Sequence, residues 1–215
     1  MIKFLLTFFI ILEVSYAVDD ILRQIALDKG LDPVPNNYKE IKKLFDNNEN
    51  PITIEKIKLG KLLFNDKNLS LSRKISCATC HDINKGGEDG KPTAIGHNGL
   101  ENPHHLNTPT VLNSPFATKL FWDASSPNLA HQAKGPAQAP FEMASTPELI
   151  VQRVKENQNY IEQFKEIFKN DSSITFDNVT KIIATYEKIL VTRGDFDKFL
   201  EGDNNAINKK AKKGL

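Results

Sequence analysis

Cysteine is scarce in this chain of 215 residues: there are two, Cys77 and Cys80. A pair this close together cannot build the disulfide framework of a small secreted domain, and a bond between them would close only a tiny loop. A zinc site would need a second ligand pair at short spacing, which no further cysteine supplies. The βαβ pattern that surrounds a thioredoxin-like redox pair is also missing. Excess charge is absent: the net is +1 with 26% charged residues, so nucleic acid is not an expected partner. Lys209, Lys210, Lys212 and Lys213 more than account for that total, which leaves a mildly acidic body. No convincing alternating strand, internal repeat or low-complexity tract occurs. The apolar run at residues 4–12 is far below the roughly 20 residues that cross a bilayer.

That run is nevertheless informative. It follows Lys3 and precedes Ser15-Tyr16-Ala17, with small residues at the two positions a signal peptidase reads. Residues 1–17 are therefore expected to be a secretory signal peptide cut after Ala17, with an uncleaved anchor as the alternative. The two cysteines belong to Cys77-Ala78-Thr79-Cys80-His81, a C-x-x-C-H run of the kind that attaches c-type haem. Two thiols on one helical turn can each add to a haem vinyl group, and the adjacent histidine then ligates the iron. Export and haem attachment outside the cytoplasm explain both features together.

The remaining pattern is helical. Asp19 or Asp20 is expected to cap a helix carrying Ile21, Leu22, Ile25 and Ala26, with Gly30 past its end. A short amphipathic segment covers residues 38–45. Thr53 caps a helix bearing Ile54, Ile57, Leu62 and Leu63, and Thr146-Pro147-Glu148 opens one bearing Ile150, Val154, Ile161, Phe164 and Phe168. Thr175 starts another with Val179, Ile182, Ile183, Tyr186 and Leu190, which Gly194 is expected to end. A short helix covers residues 195–200. Between residues 86 and 147 lie 6 of 11 glycines and 8 of 11 prolines, together with four of the five histidines and the single tryptophan. So long a stretch with little room for helices points to a functional loop, expected to wrap the distal side of the haem.

With these residues in view, the chain resembles the N-terminal haem domain of bacterial di-haem cytochrome c peroxidases and their relatives of the methylamine-utilisation G type. The matching words are Leu59-Gly60-Lys61-Leu62-Leu63-Phe64, Ser76-Cys77-Ala78-Thr79-Cys80-His81, Ile95-Gly96-His97, Asn107-Thr108-Pro109-Thr110-Val111-Leu112-Asn113, Phe121-Trp122-Asp123, Gln132-Ala133-Lys134-Gly135-Pro136, Phe141-Glu142-Met143 and Ile174-Thr175-Phe176-Asp177-Asn178-Val179. The resemblance implies Cys77 and Cys80 as thioether anchors, His81 as proximal ligand and His97 as the resting distal ligand that must swing away. It implies Glu142 as acid/base, Gln132 as a positioning group, Trp122 as an electron conduit and Asn107 as a ligand of an interdomain Ca²⁺. His104, His105 and His131 match no ligand, and Met143 is not an axial one.

The expected fold is all-α: a cytochrome c-like haem domain (residues 52–200) with the long loop as insertion and an N-terminal helical extension (18–51). The family continues into a second C-x-x-C-H domain, so residues 201–215 are expected to be the start of a truncated second haem domain. The implied function is periplasmic reduction of hydrogen peroxide by a reduced c-type cytochrome or similar donor, with one covalent haem c per chain. Alone, the chain is expected to turn over peroxide slowly or not at all. The resemblance leaves room for a homodimer. An electron-carrier cytochrome, and a relative that oxidises a protein side chain, are the competing readings.

Overall fold

The computed structural model describes residues 18–169 and 174–215. The helices in chain order are α1 (18–28), α2 (Tyr38–Phe45), α3 (Ile54–Asn65), α4 (Cys77–Cys80), α5 (Leu129–Gln132), α6 (Lys134–Gln138), α7 (Pro147–Lys155), α8 (Gln158–Phe168), α9 (Phe176–Glu187), α10 (Asp195–Leu200) and α11 (Lys209–Lys212). Among the described residues there is no sheet, only three isolated antiparallel bridges inside loops. No described helix is long and apolar enough to cross a membrane. The expected signal peptide lies outside the described residues.

Helix starts follow local chemistry. Thr53, Thr146 and Thr175 accept from the amides of Lys56, Leu149 and Asn178, satisfying donors that the first turn leaves unpaired. Other boundaries differ from the sequence reading. Residue 18 is already helical, so Asp19 and Asp20 lie inside α1 instead of capping it. Gly30 does end that helix, at φ +80°, with its own amide on Leu27 O and that of Leu31 on Ala26 O. The helix expected from residue 147 onward is two, because Asn157 starts α8 by accepting from the Asn159 amide. Gly194 does not end α9, which stops at Glu187; it stands at the start of α10.

The chain forms two compact units, one of Asn37–Val191, the other pairing the residues up to Asn36 with Thr192–Leu215. These bounds differ from the expected 18–51 and 52–200. In the larger unit, α2 contributes Phe45, whose ring meets Phe116 edge-on at 4.8 Å. In the smaller one, Phe199 and Leu200 of α10 bury against Ala26 of α1. There Arg23 donates through Nε to Phe199 O at 2.7 Å, and Lys212 pairs with Asp19 at 2.7 Å. Burial would raise the Asp197 carboxyl, but the amides of Gly194 and Val34, with Arg193 nearby, outweigh it and hold the pKa below the usual range.

The larger unit is built on the crossing of α3 and α9. A Cβ on Gly60 would lie 2.7 Å from Tyr186 Cβ and would collide with the Ile182 carbonyl, so only glycine permits this approach. Leu59, Leu63, Phe64, Val154, Phe164, Val179 and Ile182 are essentially inaccessible around it, each worth about 1.5–3 kcal/mol for a fully buried apolar side chain. On α9, Val179, Ile182, Ile183 and Tyr186 form the expected buried stripe, whereas Leu190 is buried beyond the end of the helix. The stripe of α3 is rotated: Leu59, Gly60, Leu63 and Phe64 face inward, while Ile54 and Leu62 are exposed. The loop of residues 86–147 carries α5, α6 and short 3₁₀ turns, and α5 packs on α9.

Candidate haem site

α4 is a single turn. Thr79 Oγ1 accepts from the Ser76 amide at 2.9 Å, and His81 N closes the turn on Cys77 O at 2.9 Å. This delivers two free thiols and the His81 ring together. Burial, with Glu187 next in effect, pushes the Cys77 thiol up to about 12, and burial pushes Cys80 up to about 11, so both stay protonated. Low-pKa thiolates of a redox pair or a metal site are the opposite case.

His81 is oriented from behind. Its Nδ1 lies 3.2 Å from Gly87 O, a carbonyl that also accepts from Val111 N. A carbonyl can only accept, so Nδ1 carries the proton and Nε2 keeps its lone pair for a metal. Burial lowers the His81 pKa, which favours the neutral, ligating imidazole. Gly87 is held to glycine twice over: φ is +74°, and a Cβ would sit 2.8 Å from Leu112 Cγ.

The thiol-and-imidazole end opens into a cavity of about 480 Å³ whose walls include Cys80, His81, Trp122, Gln132 and Glu142. That volume falls in the usual range for cofactor clefts, about 300–1,000 Å³. A narrower recess adds Cys77 with Leu69, Ile75, Val179 and Ile183. Burial raises the Glu142 pKa. The Glu142 backbone is locked in place, since its carbonyl accepts from His97 N at 2.8 Å, and a Cβ on Gly96 would lie 2.6 Å from Glu142 Cα.

The other expected residues divide. Trp122 is 64% exposed, so it is not a core residue of this chain; its Nε1 donates to Asn107 O at 3.1 Å. Asn107 lines the same cavity and donates through Nδ2 to Lys91 O at 2.5 Å. His97 stands apart. It lines neither the cavity nor the recess, its Nδ1 is buried with no hydrogen-bond partner, and its turn carries Asn98 and Gly99 at positive φ. His131 is tied to Ser126 Oγ at 2.9 Å, whereas His104 lines the cavity. The sequence reading missed Glu187, a buried carboxyl on both the cavity and recess walls. Its position four and eight residues after Ile183 and Val179, on the buried stripe of α9, was the signal.

The donor set fits a haem: two protonated thiols three residues apart, a neutral imidazole held through Nδ1, and an apolar recess beside them. The sequence profile of the family described as di-haem cytochrome c peroxidase matches residues 54–205. The chain belongs to that family. It is 40% identical over 185 residues to cytochrome c551 peroxidase of Pseudomonas aeruginosa, covering 85% of this chain and 51% of that protein. It is 45% identical over 160 residues to cytochrome c551 peroxidase of Nitrosomonas europaea, covering 74% and 47%. A solved MauG-like protein associated with microbial copper homeostasis superposes with a TM-score of 0.70 at 26% identity, over 77% of this chain and 49% of that one. The chain thus spans about half the length of the curated relatives it matches. The all-α fold is that of this haem-peroxidase family.

Proposed function

We propose that this chain reduces hydrogen peroxide to water at a haem held by Cys77, Cys80 and His81. We place it in the periplasm after removal of residues 1–17, with a reduced c-type cytochrome as electron donor. The observation that carries the reading is convergence: the oriented imidazole, Cys80, Gln132 and Glu142 line both the cavity and the recess, and Cys77 lines the recess. When bound, the haem supplies the iron at which peroxide is reduced.

The chain's own residues supply the proton chemistry. Burial holds the Glu142 pKa above the usual carboxylate range, nearer the pH at which one group can both take and return a proton. Glu142 takes the proton from the near peroxide oxygen and returns it to the far one. Gln132 cannot titrate near neutrality, so its amide orients peroxide or the Glu142 carboxyl by hydrogen bonding. We assign His97 as a residue that would hold the haem iron in the resting protein. It would have to swing away before peroxide could bind. Trp122, exposed at the cavity mouth, is the proposed route for electrons arriving from a second redox centre. Asn107 retains its side-chain oxygen for Ca²⁺, which prefers oxygen ligands.

The test is the single-turnover reaction of the reduced, haem-loaded chain with peroxide. Glu142→Gln is expected to slow it by about 10²–10⁴-fold while leaving haem attachment intact. Wild-type rates in that variant would overturn the assignment.

A further inference from the structure

Glu187, the last residue of α9, is 5% exposed and lines both the cavity and its recess. Its Oε2 is buried without a hydrogen-bond partner, an arrangement that costs free energy unless something else engages it. The peroxide chemistry above leaves it unused. Two effects oppose its ionisation. Burial pushes its pKa up to about 8, and a helix C-terminus presents carbonyl oxygens that disfavour negative charge.

Among the described residues no cation is paired with it, and Lys188, next in the chain, donates to Asn50 O at 3.3 Å. Sharing the cavity walls are Cys77 and Cys80, uncharged as thiols and as thioethers alike, the neutral His81, His104, Asp123 and Glu142. From the elements packed on α9, α7 brings only the apolar Ile150 to the recess. The Lys56 ammonium of α3 donates to Asn50 Oδ1 at 3.0 Å, and His131 of α5 bonds to Ser126. An electron added to the haem therefore places extra negative charge beside a carboxyl that nothing else compensates. In a low-dielectric pocket the response is to bind a proton.

We propose that Glu187 is a redox-linked proton site of the haem. One electron from a c-type cytochrome donor reduces the iron from ferric to ferrous, and one proton from solvent converts the Glu187 carboxylate to the acid. Oxidation releases both. The proposal rests on the haem reading of this site, and it adds a proton carrier distinct from Glu142.

The experiment is a spectroelectrochemical titration of the haem-loaded chain across the pH range around the Glu187 value. The wild-type midpoint potential is expected to fall with rising pH, by up to 59 mV per pH unit for one proton per electron, the equivalent of a tenfold change. Glu187→Gln removes the slope, Glu187→Asp retains one, and Glu142→Gln leaves it in place. Redox-difference infrared spectra in the Glu142→Gln background should show a protonated-carboxyl band that grows on reduction. That band decides the matter if Glu187→Gln fails to fold. A flat wild-type potential, a slope that survives Glu187→Gln, or one abolished by Glu142→Gln overturns the proposal while the haem reading stands. A chain with no covalent haem overturns both.

Discussion

Replacing Gly60 by alanine sets two known effects against each other. Alanine is favoured over glycine in a helix interior by about 1 kcal/mol, so propensity alone predicts stabilisation. The new methyl, however, would lie 2.7 Å from Tyr186 Cβ and would collide with the Ile182 carbonyl. Neither is the flexible end of a side chain. α3 and α9 must part instead, loosening Leu59, Leu63, Phe64 and Ile182 along the crossing. Overpacking of a tight core costs about 1–3 kcal/mol, and parting a seam of fully buried side chains belongs at the upper end. After the propensity gain is subtracted, a net loss of about 1–2 kcal/mol remains. For a domain of this size that lowers Tm by about 2–8 °C. Thermal unfolding of the haem-loaded protein, followed by circular dichroism, measures it. An unchanged or raised Tm would refute the helix-crossing argument.

Gly96→Ala meets the Glu142 backbone in the same way and displaces the proposed acid/base without touching the haem anchors. Its signature is a loss of peroxide reactivity with haem content and visible spectrum retained; an unaffected reaction rate would contradict it. The Glu187 carboxyl makes stability fall with pH. Its folded pKa of about 8 lies above the unfolded value of about 4.3, so between them the folded state holds the extra proton. Stability should therefore decline through that window, at up to about 1.4 kcal/mol per pH unit, and level off above it. Urea denaturation at points across the window should show this decline in wild type and its absence in Glu187→Gln. Equal slopes for the two would contradict it.

Local chemistry was legible in the sequence. Threonine caps at positions 53, 146 and 175 stand where expected because the cap and its amide partner are only three residues apart. The C-x-x-C-H run was equally plain, since its spacing sets the geometry of one turn. Residues brought together from a distance were harder to read. Gly60 reads as an ordinary helix defect until α9 is laid across it. Glu187 looks like a polar residue at a helix end until the recess is closed around it. Lys56 and Asn50 are buried polar partners that no local pattern marks. α5 and α6 escaped notice in the loop because four or five residues are too few to show a helical period. His97 was expected among the pocket residues from a family word; its backbone meets Glu142, but its ring does not line the cavity.

The claim on which everything rests is that Cys77, Cys80 and His81 hold one haem through two thioethers and an imidazole. Mass spectrometry of the intact chain, produced in a host that matures c-type cytochromes, addresses it most directly. The expected result is one haem per chain that survives denaturation and is absent when both Cys77→Ala and Cys80→Ala are introduced. A wild-type chain that emerges from denaturation with both thiols free would contradict the account.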